Sequence, residues 1–299
     1  MADAEGRWAL IVHGGAKKIE PGEEQANREG VIQAAEAGRS VLANGGSAVE
    51  AVEAAIKVLE DLPVFNAGRG SVLNAVGWVE MCSGIMDGGD RSVGAVAALR
   101  DVRHPIEVAR LLLPEREVLL AGEGARMFAQ ERGVELASDE QLKAEEPYGS
   151  EQEHDTVGAV AIDQLGRIAA GTSTGGLDGT KAGRVGDSPL PGCGYYADDR
   201  IGGVALSGDG ETITRLTIAS AIMGRLEAGE QPDAAIAAAV AELPEVGGAD
   251  ADAGAIAITH DGRIGWHHNS PDFAVALIDS SMNGPRAWLR KTKDKDQHD

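Results

Sequence analysis

His154-Asp155-Thr156-Val157-Gly158-Ala159-Val160-Ala161-Ile162-Asp163 is a junction between two kinds of sequence. Before it, residues 137–155 read ASDEQLKAEEPYGSEQEHD, almost all polar or acidic. Such a stretch buries too little apolar surface to offset the entropy of ordering it, so a solvated, mobile linker is expected. After it, VGAVAI is a short unbroken apolar run, the pattern of a strand covered on both faces. Thr156 stands between the two. In its plain reading it is only the first residue of a strand. Chemistry offers another. If the chain were cut before Thr156, one residue would carry both a hydroxyl and a free α-amine. An amine with an ordinary pKa of about 8 can take the proton of the adjacent hydroxyl as that oxygen attacks, with no histidine or metal needed.

Three neighbouring segments bear on that choice. Residues 157–162 and 167–173 read as two strands joined by a turn at 163–166, which returns the hydroxyl-rich end Gly171-Thr172-Ser173-Thr174-Gly175-Gly176 to the side of Thr156. Gly183-Arg184-Val185-Gly186-Asp187-Ser188-Pro189 places a guanidinium and a carboxylate three positions apart in a glycine-rich loop. Together they could hold the carboxylate and ammonium of an amino acid, or pair with each other as an internal salt bridge. Ser207-Gly208-Asp209-Gly210-Glu211 ends a strand with a hydroxyl and exposed backbone N–H groups, which serves equally as a turn or as an oxyanion hole.

Further out, strands are expected at 8–12, 78–82, 92–99, 202–207, 253–259, 263–267 and 273–278. Helices are expected near 23–43, 47–62, 105–113, 116–132, 211–226 and 233–243. His13-Gly14-Gly15 reads as a turn after the first strand, and the lysine-rich tail from Arg290 as frayed. Helices cluster within each half and strands pair as hairpins, so the fold class is α+β, antiparallel sheets covered by helices, with no 20–50-residue repeat. Glycine, at 41 of 299 residues, and aromatics, at 3%, imply a core of small aliphatic side chains packed closely.

The net charge of −21 argues against nucleic acid or an anionic membrane as partner. No apolar run is long enough to span a bilayer, and the start carries no secretory pattern. Cys82 and Cys193 are the only cysteines, which fits a reducing cytoplasm. There is no dinucleotide fingerprint, P-loop, Cys-x-x-Cys or His-Glu-x-x-His. His267-His268 would point to opposite faces of a strand, which does not suit a shared metal.

Taken together, the chain resembles the plant-type asparaginase and isoaspartyl peptidase family, N-terminal-nucleophile hydrolases related to aspartylglucosaminidase. The resemblance rests on VHGG at 12–15, NAGRGSVLN at 66–74, MDG at 86–88, SVGAVAAL at 92–99, HDTVGAVAID at 154–163, and AAGTSTGG with GRVGDSPLPGCGYYADD between 169 and 199. It implies one domain, a four-layer αββα sandwich, and self-cleavage between Asp155 and Thr156 into an alpha subunit, 1–155, and a beta subunit, 156–299, with two such pairs in the oligomer. It implies Thr156 as nucleophile and its freed amine as base, with Thr174 helping to activate it and Asn66 close by. Arg184 would bind the substrate α-carboxylate. Asp187 and the Gly210 carbonyl would bind the α-ammonium, and the Ser207 hydroxyl and Gly208 N–H would form the oxyanion hole. No cofactor is implied for catalysis. A structural sodium ion would sit on the backbone carbonyls of Leu59, Glu60, Leu62, Phe65, Ala67 and Arg69.

The chain departs from the family in places. Ser207 stands where the family has threonine, which keeps the donor. Asp155 matches the glucosaminidase branch, whereas the second glycine of GTSTGG leans toward asparaginase. HGG is followed by Ala16 and Lys17 rather than glycine, beside the expected cleavage site. The expected reaction is hydrolysis of the side-chain amide of asparagine and of β-aspartyl dipeptides. Removal of N-linked sugar from asparagine, or amino-acid binding without catalysis on the same scaffold, are the alternatives.

Overall fold

The computed structural model describes residues 6–144 and 156–291. In chain order the first half holds β1 (Ala9–Lys17), α1 (Glu24–Ala43), α2 (Ala48–Asp61), β2 (Met81–Asp87), β3 (Val93–Leu99), α3 (Pro105–Leu112), β4 (Leu119–Ala121), α4 (Gly122–Glu131) and α5 (Asp139–Leu142). The second holds β5 (Val157–Ile162), β6 (Ile168–Thr174), β7 (Tyr195–Asp198), β8 (Gly202–Gly208), α6 (Gly210–Leu216), α7 (Ile218–Glu227), α8 (Pro232–Val240), α9 (Leu243–Gly247), β9 (Ala253–Thr259), β10 (Ile264–His268), β11 (Asp272–Asp279) and β12 (Arg286–Trp288). No helix among the described residues is long and apolar enough to cross a membrane.

The strands form two sheets, one ordered β12-β11-β1-β5-β6-β2-β3-β4 and the other β10-β9-β8-β7. Every named pairing is antiparallel except β3 with β4. The α+β class is therefore observed. Alternation along each strand divides the apolar residues between cores. Val157, Ala159 and Ala161 of β5 face α1 and α2, joining Val31, Val52, Ile56 and Leu59. Val160 and Ile162 face the other way, toward Ala205, Ile256 and Ile258 of the second sheet. Val204 and Leu206 of β8 point away from the first sheet, into a third core with Ile218, Ile222, Ile236 and Val240.

Local signals explain several boundaries. Ser47 caps α2 through the Glu50 amide, and Glu50 returns a bond to the Ser47 backbone, a reciprocal pair that fixes the helix start. The expected helix 211–226 breaks at Thr217, whose φ of 49° ends α6 and begins α7. His13-Gly14-Gly15 is not a turn. β1 runs on to Lys17, and a register shift between His13 and Ala16 absorbs the glycines as a bulge against β11. The strand expected at 78–82 lies later, at 81–87, because Trp78 belongs to an exposed turn closed by Asn74. The short strands β4, β7 and β12 are further elements beyond the expected set. Arg290, expected in a frayed tail, pairs with Asp272 and Glu24.

The linker reading also needs correction in part. Residues 137–144 are not solvated chain. Ser138 caps α5, Leu142 is buried beside Val79 and Met81, and its carbonyl accepts the amides of Gly70 and Ser71. One apolar side chain with a capped turn suffices to dock the segment. Residues 145–155, including Asp155, lie outside the described residues.

Candidate active site

Register places the site where the two sheets meet. Thr156 precedes β5 with the same parity as Val160 and Ile162, so it faces the second sheet. Val157 pairs with Ser173, which brings the end of β6 alongside. By the same alternation the three hydroxyls of β6 split between faces. Thr172 donates to the Ser188 carbonyl at 2.7 Å and Thr174 accepts the Gly176 amide at 3.2 Å, both on the site face. Ser173 points back and donates to Glu60 Oε1 at 2.6 Å.

Thr156 is buried, and each of its reactive atoms has a partner. Its backbone N–H donates to Ser207 Oγ at 3.1 Å, and its Oγ1 lies 3.0 Å from Ser188 Oγ. Ser207, at the end of β8, accepts a second N–H from Ala16 at 3.0 Å, so its hydroxyl joins the bulge of β1 to the nucleophile position. Ser188 has no role in the sequence reading of this loop. Its signal in the sequence was only its place directly after Asp187.

Thr156, Thr174, Gly176, Leu177, Arg184, Asp187, Ser188 and Gly208 line one cleft. Gly208 reaches it with φ of 150°, and a Cβ there would lie 2.3 Å from the Asp252 carbonyl oxygen, so any side chain would collide. Gly210 opens α6 between the two charged groups: a Cβ there would lie 2.7 Å from Asp187 Oδ1 and 3.2 Å from Arg184 Nη2. Asp187 is buried, and its Oδ2 has no hydrogen-bond partner among the described residues. Burial pushes its pKa up to about 7, with the nearby Arg184 guanidinium working in the opposite direction. The internal ion pair of Arg184 is not with Asp187. Its Nε and Nη2 donate to the two carboxylate oxygens of Glu211 at 2.8 and 2.7 Å, a bidentate pair that sequence reasoning missed.

Asn66 grips the turn that follows Thr174. Its Nδ2 donates to the Gly176 carbonyl at 2.8 Å, its own carbonyl accepts the Gly175 amide at 2.7 Å, and its Oδ1 accepts from Val72. The loop from Leu59 to Arg69 is folded on itself. Phe65 N–H meets the Leu62 carbonyl, Ala67 N–H the Phe65 carbonyl, and Arg69 N–H the Glu60 carbonyl at 2.7 Å. The buried Lys17 ammonium donates to the Val64 carbonyl of the same loop at 2.9 Å. The Glu60 side chain points away, its Oε1 accepting from Ser173 and the Ile106 amide, with His104 Nδ1 3.2 Å from Oε2. Burial raises the Glu60 pKa, and the His104 contact opposes that shift.

Known proteins share this pattern. The family model for asparaginase matches residues 6–149 and 135–285. An isoaspartyl peptidase/L-asparaginase of Danio rerio is 40% identical over 269 residues, covering 85% of this chain and 86% of that protein. The Homo sapiens protein of the same name is 42% identical over 238 residues, covering 74% of this chain and 77% of its own. A probable isoaspartyl peptidase/L-asparaginase of Drosophila melanogaster is 37% identical over 317 residues, covering 91% and 92%. With a family match across nearly the whole chain, and a buried threonine heading a strand beside an arginine and an aspartate, this protein belongs to the asparaginase family.

Proposed function

We propose that the chain hydrolyses the side-chain amide of L-asparagine and of β-aspartyl dipeptides, using Thr156 after the Asp155–Thr156 bond has been cut. The observation that carries this reading is the shared cleft of Thr156, Arg184 and Asp187, in which a buried carboxylate oxygen of Asp187 lies without a partner among the described residues. A substrate ammonium would supply that partner. The substrate α-carboxylate would meet the Arg184 guanidinium, competing there with Glu211, which is half exposed. With both ends of the amino acid held, the side-chain carbonyl is the one left for attack.

The chemistry then needs only groups at hand. The freed amine of Thr156 takes the Oγ1 proton as Oγ1 adds to the amide carbon. The Gly208 N–H and the Ser207 hydroxyl stabilise the developing oxyanion. The amine returns the proton to the leaving nitrogen, releasing ammonia or an amino acid and leaving an aspartyl ester on Thr156. Water, deprotonated by the same amine, then cleaves the ester and restores the hydroxyl. Ser188, within hydrogen-bond reach of Oγ1, orients that oxygen.

The layering of helices, two facing sheets and helices supports a four-layer αββα sandwich of the N-terminal-nucleophile type. The carbonyls of Leu59, Glu60, Leu62, Phe65, Ala67 and Arg69 would hold a sodium ion. All six are neutral backbone oxygens, the donor type that replaces the hydration of a monovalent cation, and the close passage of Gly68 over the Glu60 carbonyl shows how tightly the loop curls. The ion would brace the loop, and no step of the reaction runs through it.

Comparing kcat/KM for β-aspartyl-leucine and α-aspartyl-leucine tests the substrate class. The α-linked isomer lacks the free α-carboxylate for Arg184. Losing a buried charge-assisted pair costs about 2–5 kcal/mol, so the β isomer should be favoured by roughly 30-fold or more. Equal rates would refute the roles given to Arg184 and Asp187.

A further inference from the structure

His13 is fully buried, yet neither of its ring nitrogens makes a well-formed hydrogen bond among the described residues. It lies on β1 with the parity of Ala9 and Ile11, so its ring enters the space between the sheets. There it stacks on Phe273 with ring centroids 5.1 Å apart. Nε2 rests on Gly158, its cross-strand partner, at a point where any Cβ would collide. Packing alone does not account for an imidazole here, since phenylalanine would stack equally and leave no polar atom unpaired. Gly158 lies two residues from Thr156, and the Thr156 backbone acts on the ring. It favours a proton on the imidazole, against burial, which holds the ring neutral with a pKa of about 3. The β1–β5 ladder ends at the His13–Gly158 pair, because β1 bulges beyond it.

We propose that His13 is a positioning residue for the matured nucleophile, its ring N–H closing a hydrogen bond to the Thr156 backbone carbonyl once the chain is cut. While Thr156 is joined to residue 155, the peptide plane on its N-terminal side restrains it. Cutting removes that restraint, and the threonine carrying both base and nucleophile then needs a new anchor. The neutral ring supplies one without placing a second positive charge beside the amine. This inference rests on the proposed role of Thr156.

The test is His13→Phe, which keeps the ring stack and removes both nitrogens. Self-cleavage is followed on a denaturing gel. For the cut protein, kcat and KM for asparagine are measured per active site, alongside Tm. Cleavage should stay within about threefold of the parent, and Tm should be equal or higher. kcat should fall at least tenfold with KM within about twofold, since Arg184 and Asp187 are untouched, and His13→Asn, which retains a donor, should recover part of it. An unchanged kcat, or parallel loss of cleavage, kcat and Tm, overturns the proposal. Should His13→Phe not fold, the ring of the matured parent decides. In 15N-histidine-labelled protein the His13 N–H should carry the signature of a hydrogen bond to a carbonyl, and an unbonded ring overturns the inference. A parent that neither cuts nor hydrolyses would instead refute the role of Thr156 itself.

Discussion

At the scale of single residues, Asp187 carries the sharpest consequence for pH. Its carboxyl titrates near pH 7 in the folded chain because it is buried, against about 3.9 when unfolded. Between those values the folded state binds more protons than the unfolded one, so this residue makes stability fall as pH rises from about 4 to 7. Below that window the group is neutral in both states and costs nothing. Asp187→Asn should therefore raise Tm at pH 8 but leave it nearly unchanged at pH 4, as thermal unfolding at the two values will show. The same change should raise KM for asparagine strongly at pH 8, because the amide cannot pair with an ammonium. A variant that loses stability at pH 8 would mean that the buried carboxylate is satisfied in a way this account lacks. Residue types at this scale were largely legible. Thr156, Arg184, Asp187 and Gly208 could be picked out in the sequence and do share a cleft. Ser188 and Glu211 could not, because a hydroxyl and a half-exposed glutamate carry no signal until the fold aims them at Thr156 and Arg184.

At the scale of elements, apolar runs bounded by turn residues were readable and polar stretches were not. β5, β6 and β8 fall where the sequence put them, within a residue or so at each end, because each is buried on both faces and flanked by turn signals. β1 was cut short because glycines in a strand look like a turn until a partner strand pairs across them. α5 was missed because its only apolar anchor, Leu142, is a single residue in an acidic run. That anchor is testable. Leu142→Ala should lower stability by about 2–3 kcal/mol in denaturant unfolding, at the low end for a buried leucine because its cluster is small. A solvated linker residue would lose nothing. The Ser47 cap of α2 offers a milder control, where Ser47→Ala should cost about 1 kcal/mol without changing kcat.

At the scale of the whole molecule, two sheets packed through small side chains bring residues 13, 174 and 207 of three strands together with Thr156 at the head of a fourth. Strand order was beyond reach of the sequence, since it depends on non-local pairing such as β1 between β11 and β5. The central claim, that this fold exists to expose a threonine amine, is tested most directly by intact mass and N-terminal sequencing of purified protein. Mature protein should consist of two polypeptides, residues 1–155 and 156–299, the second beginning Thr-Val-Gly. Thr156→Ala should stay whole and inactive, since one hydroxyl serves both cutting and hydrolysis. Whole, unbroken chain that hydrolyses asparagine would contradict the account.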